Sequence, residues 1–174
     1  MRLPSLVVAV FLGTLASAVA EERPTVNLAH VASIQATISQ PSPDAINCGI
    51  QAKALLPALE RELAEGGLVL AKDKADAVAT LSLMTAHDPD RGVCATSALL
   101  GAYRRVAFYD EKAGWLSTGH VVLWQRATQV VSGRGDHARV AEETVARLAR
   151  EMVQSWRTDN AELREKKPAT ASTR

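Results

Sequence analysis

The fold class this sequence predicts is an α+β sandwich, with an antiparallel sheet of four to five strands and two helices on one face. Three observations carry that expectation. Residues 77–86 alternate, with Ala79, Leu81 and Leu83 on one side and Thr80 and Ser82 on the other, the two-residue period of a half-buried strand. Two stretches rich in β-branched and aromatic residues, 99–109 and 115–131, flank the polar turn Asp110-Glu111-Lys112-Ala113-Gly114, which reads as a long antiparallel hairpin. Behind a capping Asp136, the residues Ala141, Val145, Leu148, Met152 and Trp156 recur at helical spacing, the stripe of an amphipathic helix.

The remaining elements follow in chain order. Val26, Leu28, Val31, Ile34 and Ile38 are unevenly spaced, so residues 25–38 fit a bulged strand or a short helix, of which the strand is preferred. Pro41 and Pro43 break regular structure at residues 40–44, because each ring fixes φ and biases the preceding residue to extended geometry. Leu55, Leu56, Leu59 and Leu63 then form a helical stripe ended by Gly66-Gly67, with Pro57 either in the first turn or at a kink. Leu68-Val69-Leu70 is a short apolar run and Lys72-Asp73-Lys74 a charged turn. After Trp156 apolar side chains nearly vanish, so residues 158–174 read as a polar, largely disordered tail. The order holds no strand-helix-strand repeat with a glycine-rich phosphate loop, which disfavours a nucleotide-binding sheet.

Length and charge narrow the setting. The chain has 174 residues, 47% of them hydrophobic, 22% charged and 4% aromatic, the composition of one globular domain. Arg2, the apolar run Leu6 to Leu12 and small residues ending in Ala18-Val19-Ala20 have the three-part grammar of a secretory leader. Residues 1–20 are therefore expected to be removed, leaving a single domain over 21–157. No cysteine follows the candidate cleavage sites, so neither a lipid anchor nor a transmembrane anchor is expected to remain. Loss of Arg2 takes the formal net charge from +1 to zero, which removes any general attraction to nucleic acid or anionic lipid. Export to the bacterial periplasm would put Cys48 and Cys94 in an oxidising compartment, where two cysteines are expected to pair.

Three constellations could carry function. Cys48 near a helix start, His120 at the head of an apolar strand and Asp136 as an imidazole orienter have the order of a thiol hydrolase, and their spacing resembles that of bacteriocin-leader peptidases. That reading needs Gln40 as an oxyanion donor across a proline-broken stretch, and a Cys48–Cys94 bridge would quench the nucleophile. Met84, His87, Cys94 and His120 are soft or borderline ligands for copper or zinc, but Met84 and His87 lie three apart on a strand and so on opposite faces. No metal and no cofactor is expected. Tyr103, Arg105, Trp115, Trp124 and Arg126 cluster on the hairpin, where aromatic and arginine side chains suit an interface on an uncovered sheet face.

The helix-to-strand stretch ALLPALERELAEGGLVLAKDKADAVATLSL (54–83), the hairpin YDEKAGWLSTGHVVLW (109–124) and the closing helix together resemble small envelope lipoproteins that assist outer-membrane assembly and secretion, the lipopolysaccharide-transport accessory type among them. In those a helix ends in glycine, an Ala-Asp pair (here Ala75-Asp76) opens a strand, and an Asp…Gly turn (here Asp110 and Gly114) precedes the last helix. This chain departs from them in lacking the lipid-bearing cysteine and in having Cys48 and Cys94. The resemblance implies a non-enzymatic accessory domain that binds an envelope protein or small ligand.

Overall fold

The computed structural model describes residues 27–166. The expected leader and residues 167–174 lie outside them. The elements run β1 (Ser33–Ile38), α1 (Pro43–Asn47), α2 (Ala52–Glu65), β2 (Val69–Leu70), β3 (Ala77–Asp88), β4 (Val93–Asp110), β5 (Trp115–Gly133) and α3 (Arg134–Lys166). They form an α+β sandwich: one five-stranded sheet in the order β2-β1-β3-β4-β5, with the helices on a single face. Among the described residues no helix is long and apolar enough to cross a membrane.

The sheet is mixed where an antiparallel one was expected. β1 pairs in parallel with both β2 and β3, while β3–β4 and β4–β5 are antiparallel. The cause is the segment 39–68: a helical connection carries the chain back to the end from which β1 started, and a strand that follows such a crossover runs parallel to its predecessor. Three helices replace the expected two. The extra one, α1, sits where residues 40–44 were read as broken structure: Ser42 takes the N-cap, its Oγ accepting from the Ala45 N–H at 3.2 Å, and Pro43 opens the first turn. α2 begins at Ala52, so Pro57 lies inside it.

The sequence motifs that suggested α2, β1 and β3 have specific work in the fold. Gly66 ends α2 where a Cβ would stand 2.5 Å from Val153 of α3, so the two helices can touch only because that residue is glycine. Gly67 takes φ +103°, and Arg157 of α3 donates two hydrogen bonds to the Gly66 carbonyl. Asp76 Oδ2 accepts from the Ala32 and Ser33 N–H groups and from Ser33 Oγ, while the Asp76 N–H donates back to that hydroxyl. This clamp starts β1 and β3 side by side.

The core lies between the sheet and the helices. Ala77, Ala79, Leu81 and Leu83 of β3 and Ala98, Leu100 and Ala102 of β4 face Leu59 and Leu63 of α2 and Val145, Leu148 and Met152 of α3. α3 continues through Thr158 to Lys166, across the stretch expected to be a tail. Its extension is anchored by polar groups, which hydropathy does not register: Asp159 Oδ2 accepts from the Leu28 N–H, and Asn160 bonds the backbone of Leu28 and His30. β4 and β5 outrun the rest of the sheet. The last β3 pairing is Val78 with Tyr103, and among the described residues the seven pairs from Arg104–Val121 to Asp110–Trp115 have no third strand. They form a two-stranded arm roughly 23 Å long.

Candidate functional site

Cys48 and Cys94 are joined by a disulfide, and both are fully buried. The thiol-hydrolase constellation is thereby overturned. Cys48 is the C-cap of α1, with its sulfur spent in the bridge. His120 stands opposite Arg105 in the arm, eleven residues along β4 from Cys94 and so roughly 35 Å away. Asp136 is an exposed residue of the first turn of α3, 3.8 Å from Arg139. Met84, His87, Cys94 and His120 do not converge either: Met84 is on the open face, Cys94 is in the bridge and His120 is in the arm. No group of three or more His, Cys, Asp or Glu side chains able to hold a metal occurs among the described residues.

A different histidine occupies the disulfide end of the sheet. His137 is completely buried, its Nε2 2.7 Å from Thr96 Oγ1 and its Nδ1 2.7 Å from Ser132 Oγ; Thr96 Oγ1 continues to Thr85 Oγ1 at 2.9 Å. Burial lowers its pKa below the ordinary 6.5, because the desolvated interior disfavours the imidazolium. A neutral ring in this place donates to one hydroxyl and accepts from the other. Sequence reasoning missed it, although the signal was present: His137 precedes Ala141 and Val145 by four and eight residues and so stands on the apolar stripe of α3. Nearby, His87, opposite Cys94, has its Nε2 buried without a hydrogen-bond partner among the described residues.

The five aromatic and arginine residues expected to share a surface are divided by the pleat. Tyr103 pairs with Val122 and Arg105 with His120 on the open face. The Tyr103 ring folds back over Gly101, where no Cβ could fit beneath it. Trp124 and Arg126 face α3 instead: Trp124 Nε1 donates to Ser155 Oγ, and Arg126 Nε lies 3.8 Å from Glu151. Trp115 pairs with Asp110 at the arm's far end. The cause of the split is a register shift at Ala102/Tyr103 that leaves Leu123 as an extra residue in β5, and a one-residue offset exchanges the faces of everything beyond it.

Two surfaces remain open. The first is the uncovered sheet face with its arm. A trough of about 510 Å³ lies over Ala86, Ala95 and Ser97, flanked by Met84, Gln129 and Val131. Along the arm, Tyr109, Leu116 and Val122 are exposed on one side and Phe108, Trp115 and Val121 on the other. Leu116 is 71% and Trp115 65% exposed. The second is a groove of about 520 Å³ between β5 and α3, lined by Leu123, Trp124, Arg126, Glu151, Gln154 and Thr158 among others.

No protein-family model matches the chain, and no curated protein matches it. Among solved structures it is similar to the PelC dodecamer from Paraburkholderia phytofirmans, at 14% identity over 70% of this chain and 86% of that one, with a TM-score of 0.43. It is also similar to a minor lipoprotein from Acinetobacter baumannii, at 11% identity over 75% and 94% of the two chains, TM-score 0.36. A third is a homologue of a neuraminyllactose-binding hemagglutinin from Helicobacter pylori, at 12% identity over 79% and 90%, TM-score 0.24.

Proposed function

We propose that this protein is an exported, non-enzymatic binding and envelope-assembly accessory that engages its partner, an envelope protein or small ligand, through the open sheet face and the β4–β5 arm. One observation carries the reading. The arm displays exposed aromatic and aliphatic side chains on both of its sides, whereas a two-stranded ribbon standing alone in water is marginal and gains stability from being covered. Export to the periplasm is supported by the buried bridge between Cys48 and Cys94, since such bonds persist in oxidising compartments. On this reading the leader ends at Ala20, the working domain is the remainder, and the intact mass of native material corresponds to a chain starting at Glu21.

The test is capture by the immobilised mature protein from envelope extract, comparing the wild type with a triple variant, Tyr109→Ser, Trp115→Ser and Leu116→Ser. These side chains are on the surface, so thermal unfolding stays unchanged while capture falls at least tenfold. Undiminished capture by the variant removes the arm from the function.

A further inference from the structure

We infer that a second copy of this chain covers the open sheet face, the two copies packing face to face about a two-fold so that the arm of each lies in the trough of the other. The inference deepens the binding reading above, rests on it, and names a partner for that surface.

Shape is the first feature that points to this occupant. At the disulfide end the small residues Ala86, Ala95 and Ser97 floor the trough of about 510 Å³, between the exposed side chains of Met84 and Val131. At the far end Tyr109 and Leu116 pair across the arm, both strongly exposed. Ala95, Ser97 and Tyr109 are alternate residues of one strand, β4, and the extra residue at the register shift is in β5, so ridge and trough stand on the same face. A ridge and a matching hollow at opposite ends of one face are what an isologous contact requires, since each copy supplies both halves.

Area is the second. A two-fold lying between the sheets at the level of the Ala102/Tyr103 shift, perpendicular to the strands, sets β4 antiparallel on β4 and β5 on β5, the sheets about 10 Å apart. Tyr109 then falls over Ala95 and Ser97 of the second copy, and Leu116 over its Gln129 and Val131. The overlapped ribbon is roughly 60 Å by 10 Å, which is about 600 Å² per copy and about 1,200 Å² in all, against the roughly 1,000 Å² that a specific interface needs. Charge is the third. No charged side chain occurs from Val78 to Ala86 or from Ala95 to Tyr103, and Arg126, the one in residues 125–131, faces α3. The face of the sheet body therefore holds no ion to pair with a charged partner, and it sets no like charges opposite one another when it meets itself. Arg105, the cation on this side of the arm, falls between Leu99 and Gly101 of the second copy, roughly 17 Å along the strand from its own counterpart.

The test is sedimentation of the folded mature protein from about 1 to 100 µM, a range that populates even the weaker interfaces of this size. A monomer–dimer equilibrium is expected, and amide exchange in residues 104–121, fast in the dilute single copy, slows as the dimer forms. Leu116→Asp and Val131→Lys each weaken the dimer about tenfold or more, and the two together restore it to within about threefold of the wild type, because the two-fold sets position 116 of one copy against position 131 of the other. Both side chains are on the surface, so thermal unfolding of the single copy stays unchanged. A single copy at every concentration, a dimer that Leu116→Asp leaves intact, or a double variant no tighter than the single ones each overturns the inference. A single copy together with arm-dependent capture from envelope extract overturns the second copy alone. A charge-rescued dimer together with capture that the triple arm variant leaves undiminished overturns the arm as the site of an envelope partner and leaves the dimer standing.

Discussion

At the scale of single residues, two ionisable side chains hold structural positions that the sequence does not announce. Asp76 belongs to a motif that the sequence offered as a family mark. In the structure it clamps the start of β1, and the Ser33 N–H bond, followed by the Ser33 hydroxyl and the Ala32 N–H, holds its carboxyl below the ordinary 3.8. Its contacts in this chain are all structural ties between β1 and β3. His137 drew no notice, and it carries the clearest pH dependence. Its folded pKa is depressed, so the unfolded chain binds the proton more readily. Stability from this site is whole above about 6.5 and declines as the pH falls toward the folded value. Thermal midpoints measured downward from neutral pH should therefore drop before carboxylates titrate, and His137→Asn should flatten that part of the profile. The variant is less stable at neutral pH by about 1–3 kcal/mol, since it unseats the hydrogen bonds to Thr96 and Ser132. A wild-type midpoint that is level through this range contradicts the assignment.

At the scale of elements, what could be read was what depends on local period. β3, the β4–β5 hairpin and the body of α3 are written in alternation of two, a charged turn, and spacing of three and four. Strand direction was hidden, because β1 and β3 are parallel only by virtue of the helical crossover between them, and no residue of either strand encodes that. The far end of α3 was hidden because polar contacts from Asp159 and Asn160 secure it. The five residues read as one surface do not share a face: one extra residue in β5, Leu123, sends Trp124 and Arg126 to the helix side while Tyr103 and Arg105 stay on the open one. Cysteine pairing was open to inference because two cysteines behind a leader-like segment are expected to pair. The bridge joins α1 to β4 across 46 residues, a loop whose closure contributes about 4 kcal/mol in the chain-entropy account. Cys48→Ser with Cys94→Ser should lower the unfolding free energy by roughly that amount. Denaturant titration with the slope unchanged measures it, and a loss near zero places the bridge's contribution elsewhere.

At the scale of the whole molecule, the two ends of the sheet differ in how they are held. One end has the disulfide, the buried His137 chain and the α1 cap, all tied to β3, β4 and β5. The other has the chain's first described residues, the extension of α3 and the arm, where β4 and β5 continue without a third strand. Local opening free energies follow buried contact, so they should grade along the same two strands. Amides of residues 104–110 and 115–121 are expected to exchange on the order of a hundredfold faster than those of 94–101 and 124–131, because only the latter are flanked by β3 or packed against α3. The comparison is internal, strand against itself, so solvent and temperature cancel. A partner that covers the arm should slow exchange in 104–121 toward the rate of the body. Uniform protection along both strands in the free protein would mean that the arm is stable by itself, and the need for a covering partner, from which its function was argued, would disappear.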